Sequence, residues 1–202
     1  ALYEQGLPAA WQAQPVGQAL STAVHESQSL IMEMQACRSR EFLHFLTPHL
    51  QRCFTAAQPQ SPAWQEENLY RLFTRAQRGF IRVDADEVSY PLHVILRYEI
   101  ERELIEGTLE VAGIPEAWDM RMQAYLGLST AGNYRDGCLQ DVHWPAGLFG
   151  YFPTYTLGAM TAAQLFAAAK RTAPAVPAQL AEGNFSTLLG WLREHVHGQG
   201  KF

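Results

Sequence analysis

A carboxylate stands beside an imidazole and an amide in the run His25-Glu26-Ser27-Gln28. Carboxylate oxygens are common zinc ligands, so Glu26 on a partly apolar helix could ligate a metal together with residues from elsewhere in the chain. The same pattern is also typical of a solvated helix face, on which Glu and His bind nothing. The residue types alone leave both interpretations of Glu26 open.

A second group of reactive side chains lies in a glycine-containing stretch with His143, Tyr151 and Tyr155. Glycines let a backbone approach a ligand closely, and histidine or tyrosine can donate a hydrogen bond to an oxyanion that develops during acyl transfer. The alternative is that these rings only pack a hydrophobic core. The stretch is consistent with both uses.

Two arginines, Arg82 and Arg97, lie in segments whose neighbours follow a buried pattern. A buried guanidinium needs a carboxylate partner, because an unpaired charge is costly to remove from water. For Arg82 the sequence offers Asp84, Glu87 or the C-terminal carboxylate of a bound peptide. Structural ion pairing is the commoner use of such an arginine, and substrate binding is the alternative.

Helices must position most of these side chains. Residues 1–5 have a helical pattern that Gly6 stops, and apolar residues recur at helical spacing in several later segments. The sequence predicts these later helices over residues 16–46, 62–79, 90–106 and 115–125, after residue 153 and from residue 184. Residues 79–84 alternate instead and are rich in β-formers, which favours a short strand. The predicted fold class is mainly α with a small β element.

Composition excludes several classes of function. The 202 residues are 48% apolar, which predicts one substantial core and a single domain over residues 1–202. A formal charge of −5, with basic residues never clustered beyond pairs, argues against a nucleic-acid partner. No stretch approaches the roughly 18 apolar residues of a membrane span, so no membrane partner and a cytoplasmic location are expected. The three cysteines lack CxxC spacing and are expected to be reduced.

Several runs, taken together, resemble motifs of the carboxypeptidase Taq family. In the family's order they are His25-Glu26-Ser27-Gln28, Ile81-Arg82 with Ala85-Asp86-Glu87, Arg97-Tyr98-Glu99-Ile100-Glu101, and Gly137 with Gln140-Asp141-Val142-His143-Trp144. The resemblance covers nearly the whole chain. It implies the helical part of a neurolysin-like or carboxypeptidase Taq-like metallopeptidase fold. It also implies the activity of the family, the removal of C-terminal residues from peptides. The implied partners are a peptide substrate with a free C-terminus and, because members are often dimeric, a second copy in a homodimer.

The resemblance also implies a metal site. Glu26 would be the third ligand of a zinc ion, with cobalt as the alternative metal, and the histidines of an HExxH motif would be the other two. His25 and Gln28 would orient the metal site or contact the substrate.

Further roles follow for the substrate side. Arg82 is the first candidate for binding the free carboxylate of the substrate, and Arg97 is the second. His143 and Tyr151 would be catalytic donors to the scissile carbonyl or its oxyanion, and Tyr155 would bind the substrate with a similar hydrogen bond.

The 202 residues contain no HExxH motif. That motif supplies two ligand histidines and the glutamate that activates water, so the chain is expected to be a C-terminal catalytic-region fragment that begins just after it. Such a fragment should be inactive by itself. One alternative is a non-catalytic helical interaction module with the same fold. Another is a helical endopeptidase, which would show no preference for a free C-terminus.

Overall fold

The structure is a computed structural model that describes residues 2–54 and 61–201. The chain divides into two compact units. The first unit comprises residues 1–74 and 157–202, and the second unit comprises residues 75–156. Ala1, with which the predicted N-terminal helix begins, lies outside the described residues.

Helices make up the secondary structure of the described chain. Their bounds are Leu2–Gly6 (α1), Thr22–Leu30 (α2), Arg40–Phe54 (α3), Glu66–Phe73 (α4), Tyr90–Glu106 (α5), Ile114–Leu126 (α6), Pro153–Thr172 (α7), Val176–Leu180 (α8) and Ser186–His195 (α9). The second unit contains α5, α6 and the first residues of α7, and the first unit contains the rest. The prediction of a mainly α chain is confirmed.

The helices predicted over residues 90–106 and 115–125 are confirmed as α5 and α6. Each ends at a glycine with positive φ, Gly107 at 72° and Gly127 at 66°. This left-handed conformation carries little cost for glycine and lets the next amides bond back to the last helical carbonyls. The helix starts near residues 153 and 184 are likewise confirmed by α7 and α9.

The helix predicted over residues 16–46 is wrong in its extent. Helix α2 begins after Ser21, whose Oγ accepts a hydrogen bond from the Val24 amide, and runs into a π-helical stretch at Ile31–Ala36. A new helix, α3, then starts because Ser39 Oγ caps it by accepting from the Phe42 amide at 3.2 Å. Pro48 lies inside α3 and does not end it.

The helix predicted over residues 62–79 is shorter than expected. Pro62–Trp64 forms a 3-10 turn that Ser61 caps, and α4 follows as a separate helix that ends at Phe73.

The strand predicted over residues 79–84 is wrong, and no strand occurs within residues 2–54 and 61–201. Arg82–Asp84 forms a 3-10 turn instead. A side-chain amide takes the place of a partner strand: Gln140 Oε1 accepts from the Arg82 amide at 2.9 Å, and Gln140 Nε2 donates to the Phe80 carbonyl at 3.0 Å. Because these backbone groups are already satisfied, the segment requires no ladder of hydrogen bonds.

The core of the second unit lies between α5 and α6. Its buried apolar side chains are Leu96, Ile100, Ala117, Trp118, Met122 and Leu126. Burial of a large apolar side chain stabilises a fold by about 1.5–3 kcal/mol, so this contact fixes α5 firmly. Helix α5 in turn carries Arg97 and Glu101, two of the residues that build the site.

Two further expectations concern the whole described chain. Cys37, Cys53 and Cys138 are free thiols, as predicted. Within the described ranges, none of the helices combines the length and the apolar character that crossing a membrane would require.

Candidate active site

Arg82 and Arg97 share one carboxylate in the second unit. Arg82 donates from Nε and Nη2 to Oδ1 of Asp141, at 3.1 and 2.9 Å, and Arg97 donates from Nε to Oδ2 at 2.6 Å. The partner of Arg82 is therefore Asp141, which the sequence-based choice between Asp84, Glu87 and a substrate did not include. The two arginines that the resemblance singled out are held in one cluster.

Burial and charge act against each other in this cluster. Arg82 is 6% exposed and Arg97 is 0% exposed. Burial alone would raise the pKa of Asp141, but the two guanidinium groups outweigh it and hold that pKa below its usual value. Burial lowers the pKa of Arg97 to about 10, so both arginines are charged at neutral pH. Asp141 neutralises only one of the two positive charges.

Arg97 is the more enclosed of the two arginines. Its Nη1 donates to the His93 carbonyl at 2.7 Å, and its Nη2 has no hydrogen-bond partner among the described residues. The binding of a substrate carboxylate by Arg97 stays a prediction. In this structure its contacts hold Asp141 and the first turns of α5.

His143 lies against two of the predicted tyrosines. Its Nε2 and the hydroxyl of Tyr155 are 2.9 Å apart, and its ring centroid is 5.4 Å from that of Tyr151. Nδ1 of His143 is 3.6 Å from Oδ1 of Asp141. The guanidinium of Arg82 lies 4.6 Å from the ring centroid of Tyr155, close enough for a cation–π contact. Arg82, Arg97, His143, Tyr151 and Tyr155 are thus brought together.

His143 is buried and carries no charge at neutral pH. Burial lowers its pKa below the usual value, and Asp141 offsets this only in part. A neutral imidazole has one N–H, so the nitrogen that donates depends on the tautomer. With the proton on Nε2, His143 can donate toward Tyr155 or toward a substrate oxygen that takes its place.

The loop that carries His143 is held by Glu101 of α5 and by the side-chain amide of Gln140, which belongs to the loop itself. Glu101 of α5 accepts from Nε1 of Trp144 at 2.7 Å and from the backbone amide of Gly150. Gln140 ties the loop to residues 80–82, as described for the 3-10 turn. No role was predicted for Gln140, Asp141 or Glu101, although each stands inside a run that resembles a motif of the family.

Glu26 lies in the first unit, half-buried on α2. It lines a cavity of about 380 Å³ together with Leu2 and Tyr3 of α1 and with His25. Ser29 Oγ approaches its Oε1 at 3.2 Å. Within residues 2–54 and 61–201, no cluster of three or more His, Cys, Asp or Glu could hold a metal ion, so Glu26 would be a single ligand.

His25 and Gln28 flank Glu26 in different surroundings. The side chain of His25 is 46% exposed and its Nε2 lies 3.2 Å from Oε1 of Glu4. Gln28 is buried, and its Oε1 is 2.9 Å from Nε2 of His197, which follows α9. No sequence pattern marked His197 as part of this region.

His197 should make the stability of the protein depend on pH. Burial, with a smaller contribution from Arg193, lowers its pKa to about 4, whereas an unfolded histidine titrates near its ordinary value of 6.5. Between these values the unfolded chain binds the proton and the native chain does not, so stability falls as pH falls through that window. Between pH 7 and pH 4.5 the protonation of His197 should lower the free energy of unfolding by on the order of 2 kcal/mol. We expect His197→Gln to lack this part of the decrease. Urea unfolding at pH 7 and pH 4.5 would measure it.

The matched control for this prediction is His44→Gln, because His44 is exposed on α3 and pairs with Glu66. The control shows how much of any change comes from replacing a histidine at the surface. Equal pH dependence in His197→Gln and the unmodified protein would show that His197 is protonated alike in both states.

Comparison with known proteins places this arrangement in a family. The profile described as "Carboxypeptidase Taq (M32) metallopeptidase" matches residues 1–202. "Thermostable carboxypeptidase 1" of Thermus thermophilus is 40% identical over 200 residues, which are 99% of this chain and 38% of that protein. "Carboxypeptidase 1" of Bacillus subtilis is 39% identical over 201 residues, which are 100% of this chain and 39% of that protein. The chain therefore spans about two fifths of the length of these relatives.

Solved structures are similar to the whole chain. "Trypanosoma Cruzi Metallocarboxypeptidase 1" has a TM-score of 0.90 and 46% identity, covering 100% of this chain and 41% of that one. The carboxypeptidase from Deinococcus radiodurans has a TM-score of 0.89 and 42% identity, covering 99% of this chain and 40% of that one. The predicted carboxypeptidase Taq-like fold is confirmed. Sequence and structure agree that this chain belongs to the carboxypeptidase Taq family of metallopeptidases.

Proposed function

We propose that the protein containing this chain removes C-terminal residues from peptides by metal-assisted hydrolysis. The observation that carries the proposal is the buried guanidinium of Arg82, which is fixed by Asp141 and lies beside the His143–Tyr155 pair. Such a cluster offers a cation for a carboxylate and hydrogen-bond donors for an oxyanion. Those are the two recognition tasks of a carboxypeptidase.

Glu26 is the proposed metal ligand of this chain. The donor fits, because it is a half-buried carboxylate that lines a cavity. When bound, zinc, or cobalt in its place, supplies Lewis-acid chemistry that activates water and polarises a carbonyl. Gln28, held by His197, keeps the helix of Glu26 in place.

Arg82 is the proposed site of carboxylate recognition. Its Nε and Nη2 donate to Asp141, and its Nη1 donates to the hydroxyl of Tyr90 at 3.4 Å. A guanidinium fixed on one edge and stacked on Tyr155 has little freedom to rotate, so it can receive a carboxylate without a large loss of entropy. Arg97 contributes by holding Asp141 from the other side of the carboxylate.

His143, Tyr151 and Tyr155 are the proposed donors to the carbonyl oxygen of the scissile bond. The hydroxyl of Tyr155 and Nε2 of His143 already form a hydrogen bond, and Tyr151 packs against both rings. Donors that are fixed before the reaction stabilise a developing negative charge without reorganisation. His143 and Tyr151 are assigned to catalysis and Tyr155 to substrate binding.

The activity can be tested with the protein expressed from its complete reading frame. An N-blocked dipeptide should lose its C-terminal residue, and a chelator should stop the reaction. A helical endopeptidase would instead cleave amidated and free-acid peptides alike. Zinc as the resident metal, a homodimer and a cytoplasmic location are further parts of the proposal, which metal analysis, light scattering and fractionation would test.

A polypeptide consisting only of these 202 residues should have no peptidase activity. It contains no HExxH, and Glu26 alone would bind zinc weakly, because structural and catalytic zinc sites use three or four protein ligands. Incubation of this polypeptide with the N-blocked dipeptide and added zinc would measure the effect. Chelator-sensitive turnover by a preparation free of other proteases would contradict the expectation.

A further inference from the structure

Helix α7 approaches α2 unusually closely at Glu26. The contact is made by Gly158, which is buried on α7. A methyl group placed on Gly158 would lie 2.9 Å from Cβ of Glu26, 3.1 Å from its Cγ and 3.2 Å from the carbonyl oxygen of Ala23. These distances are shorter than ordinary van der Waals contacts between carbon atoms. Only a residue without a side chain allows this approach.

Glycine at this position has an energetic cost. Inside a helix it is less favourable than alanine by about 0.5–1 kcal/mol. Gly190 of α9 provides a contrast, because a methyl group placed there would have no heavy atom within 4 Å. The glycine of α7 is therefore required by its neighbour, and that neighbour is the proposed metal ligand.

We propose that Gly158 is a positioning residue for Glu26. The backbone of α7 backs the Cβ and Cγ atoms of Glu26, which removes side-chain rotamers that would occupy the same space. Ser29 Oγ contacts the carboxylate at Oε1, and the side chain lines the cavity beside Tyr3. A ligand restricted to few rotamers loses less entropy when it binds a metal. This inference rests on the proposed function, because it takes Glu26 to be a metal ligand.

The test compares Gly158→Ala with Gly190→Ala in the protein expressed from its complete reading frame. Metal-free protein would be titrated with zinc in competition with a chromogenic chelator, at a temperature where circular dichroism shows it to be folded. We expect Gly158→Ala to weaken zinc binding by about 10- to 100-fold, which is the usual effect of mutating a residue that orients a metal ligand. The absorption spectrum of the cobalt-loaded variant should also change. Gly190→Ala should bind zinc as the unmodified protein does.

A third variant, Glu26→Ala, separates the two proposals. If Glu26→Ala keeps the zinc affinity of the unmodified protein, the assignment of Glu26 as a ligand fails, and the role of Gly158 fails with it. If Glu26→Ala loses zinc while Gly158→Ala binds it normally with an unchanged cobalt spectrum, the positioning role is overturned and the proposed function stands.

A size exchange covers the case in which Gly158→Ala does not fold. The double variant Gly158→Ala with Glu26→Gly adds a methyl group to α7 and removes the Cβ and Cγ atoms of Glu26 that it would meet, which leaves only the carbonyl oxygen of Ala23, at 3.2 Å, among the three close atoms. Folding of the double variant but not of the single one supports the contact between Gly158 and Glu26. Failure of both to fold would mean that the glycine serves only the spacing of the helices, and it would overturn the proposal.

Discussion

Replacing Asp141 with asparagine should lower the free energy of unfolding by about 3–5 kcal/mol, the cost of removing one partner from a buried ion pair. The substitution keeps the shape of the side chain and removes its charge. Arg82 and Arg97 would then face each other without an anion, with exposed fractions of 6% and 0%. Urea denaturation of the purified variant at pH 7 would measure the difference.

The matched control is Asp136→Asn in the same loop. The side chain of Asp136 is 42% exposed, and it pairs only weakly with Arg135, at 3.8 Å. Its replacement should change the free energy of unfolding by less than about 1 kcal/mol, as for most exposed ion pairs. Similar losses in both variants would mean that the charge of Asp141 does not hold the two arginines.

The same carboxylate should contribute to acid sensitivity. The folded pKa of Asp141 lies below its unfolded value, so its contribution is present above the unfolded pKa and is lost as pH falls through the folded pKa. The unmodified protein should therefore lose more stability than Asp141→Asn when the pH falls below about 4. Parallel acid-unfolding curves would contradict the assigned pKa shift.

Under the proposed function, replacing Arg82 with alanine in the protein expressed from its complete reading frame should reduce the preference for peptides with a free C-terminus. A charge-assisted hydrogen bond contributes about 1.5–3 kcal/mol, so the ratio of kcat/KM for free-acid over amidated substrate should fall by about 10- to 150-fold. The ratio is informative because a loss of folded protein lowers both values equally and cancels. Steady-state kinetics on a matched pair of peptides would provide it.

Arg121→Ala is the control for this experiment. Arg121 also lies in the second unit and forms ion pairs with Glu99 and Glu103, so its loss removes a comparable partly buried guanidinium. It should leave the substrate ratio unchanged even if it lowers stability. A fall in both activities by the same factor in Arg82→Ala would remove Arg82 as the carboxylate-binding residue.

Most of the helices could be predicted from the sequence, because the residues that begin and end a helix lie in or next to it. Gly107 and Gly127 end α5 and α6 where their conformational freedom predicts, and Ser61 caps its turn. The gathering of Arg82, His143 and Tyr155 could be expected only from the resemblance to a family. No periodicity joins residues that lie so far apart in the chain.

The errors have physical causes that a local pattern cannot reveal. The alternation over residues 79–84 looks like a strand, but a glutamine about 60 residues later satisfies its backbone. Ser39 interrupts the predicted long helix, and Pro48 is tolerated inside α3. Gln28 contacts His197 and Glu26 contacts Gly158, and in each pair the residues are more than 100 positions apart. No local sequence pattern could predict these contacts.

The amide of Gln140 has a consequence for chemical ageing. Its Nε2 donates to three carbonyl oxygens, those of Phe80, Asp136 and Gly137, at 3.0, 2.7 and 3.2 Å. Spontaneous deamidation to glutamate would put an oxygen where this nitrogen stands. Three attractive contacts would then become repulsive ones, and the anchor of the Phe80 carbonyl would be lost through a change of about one mass unit in a single side chain.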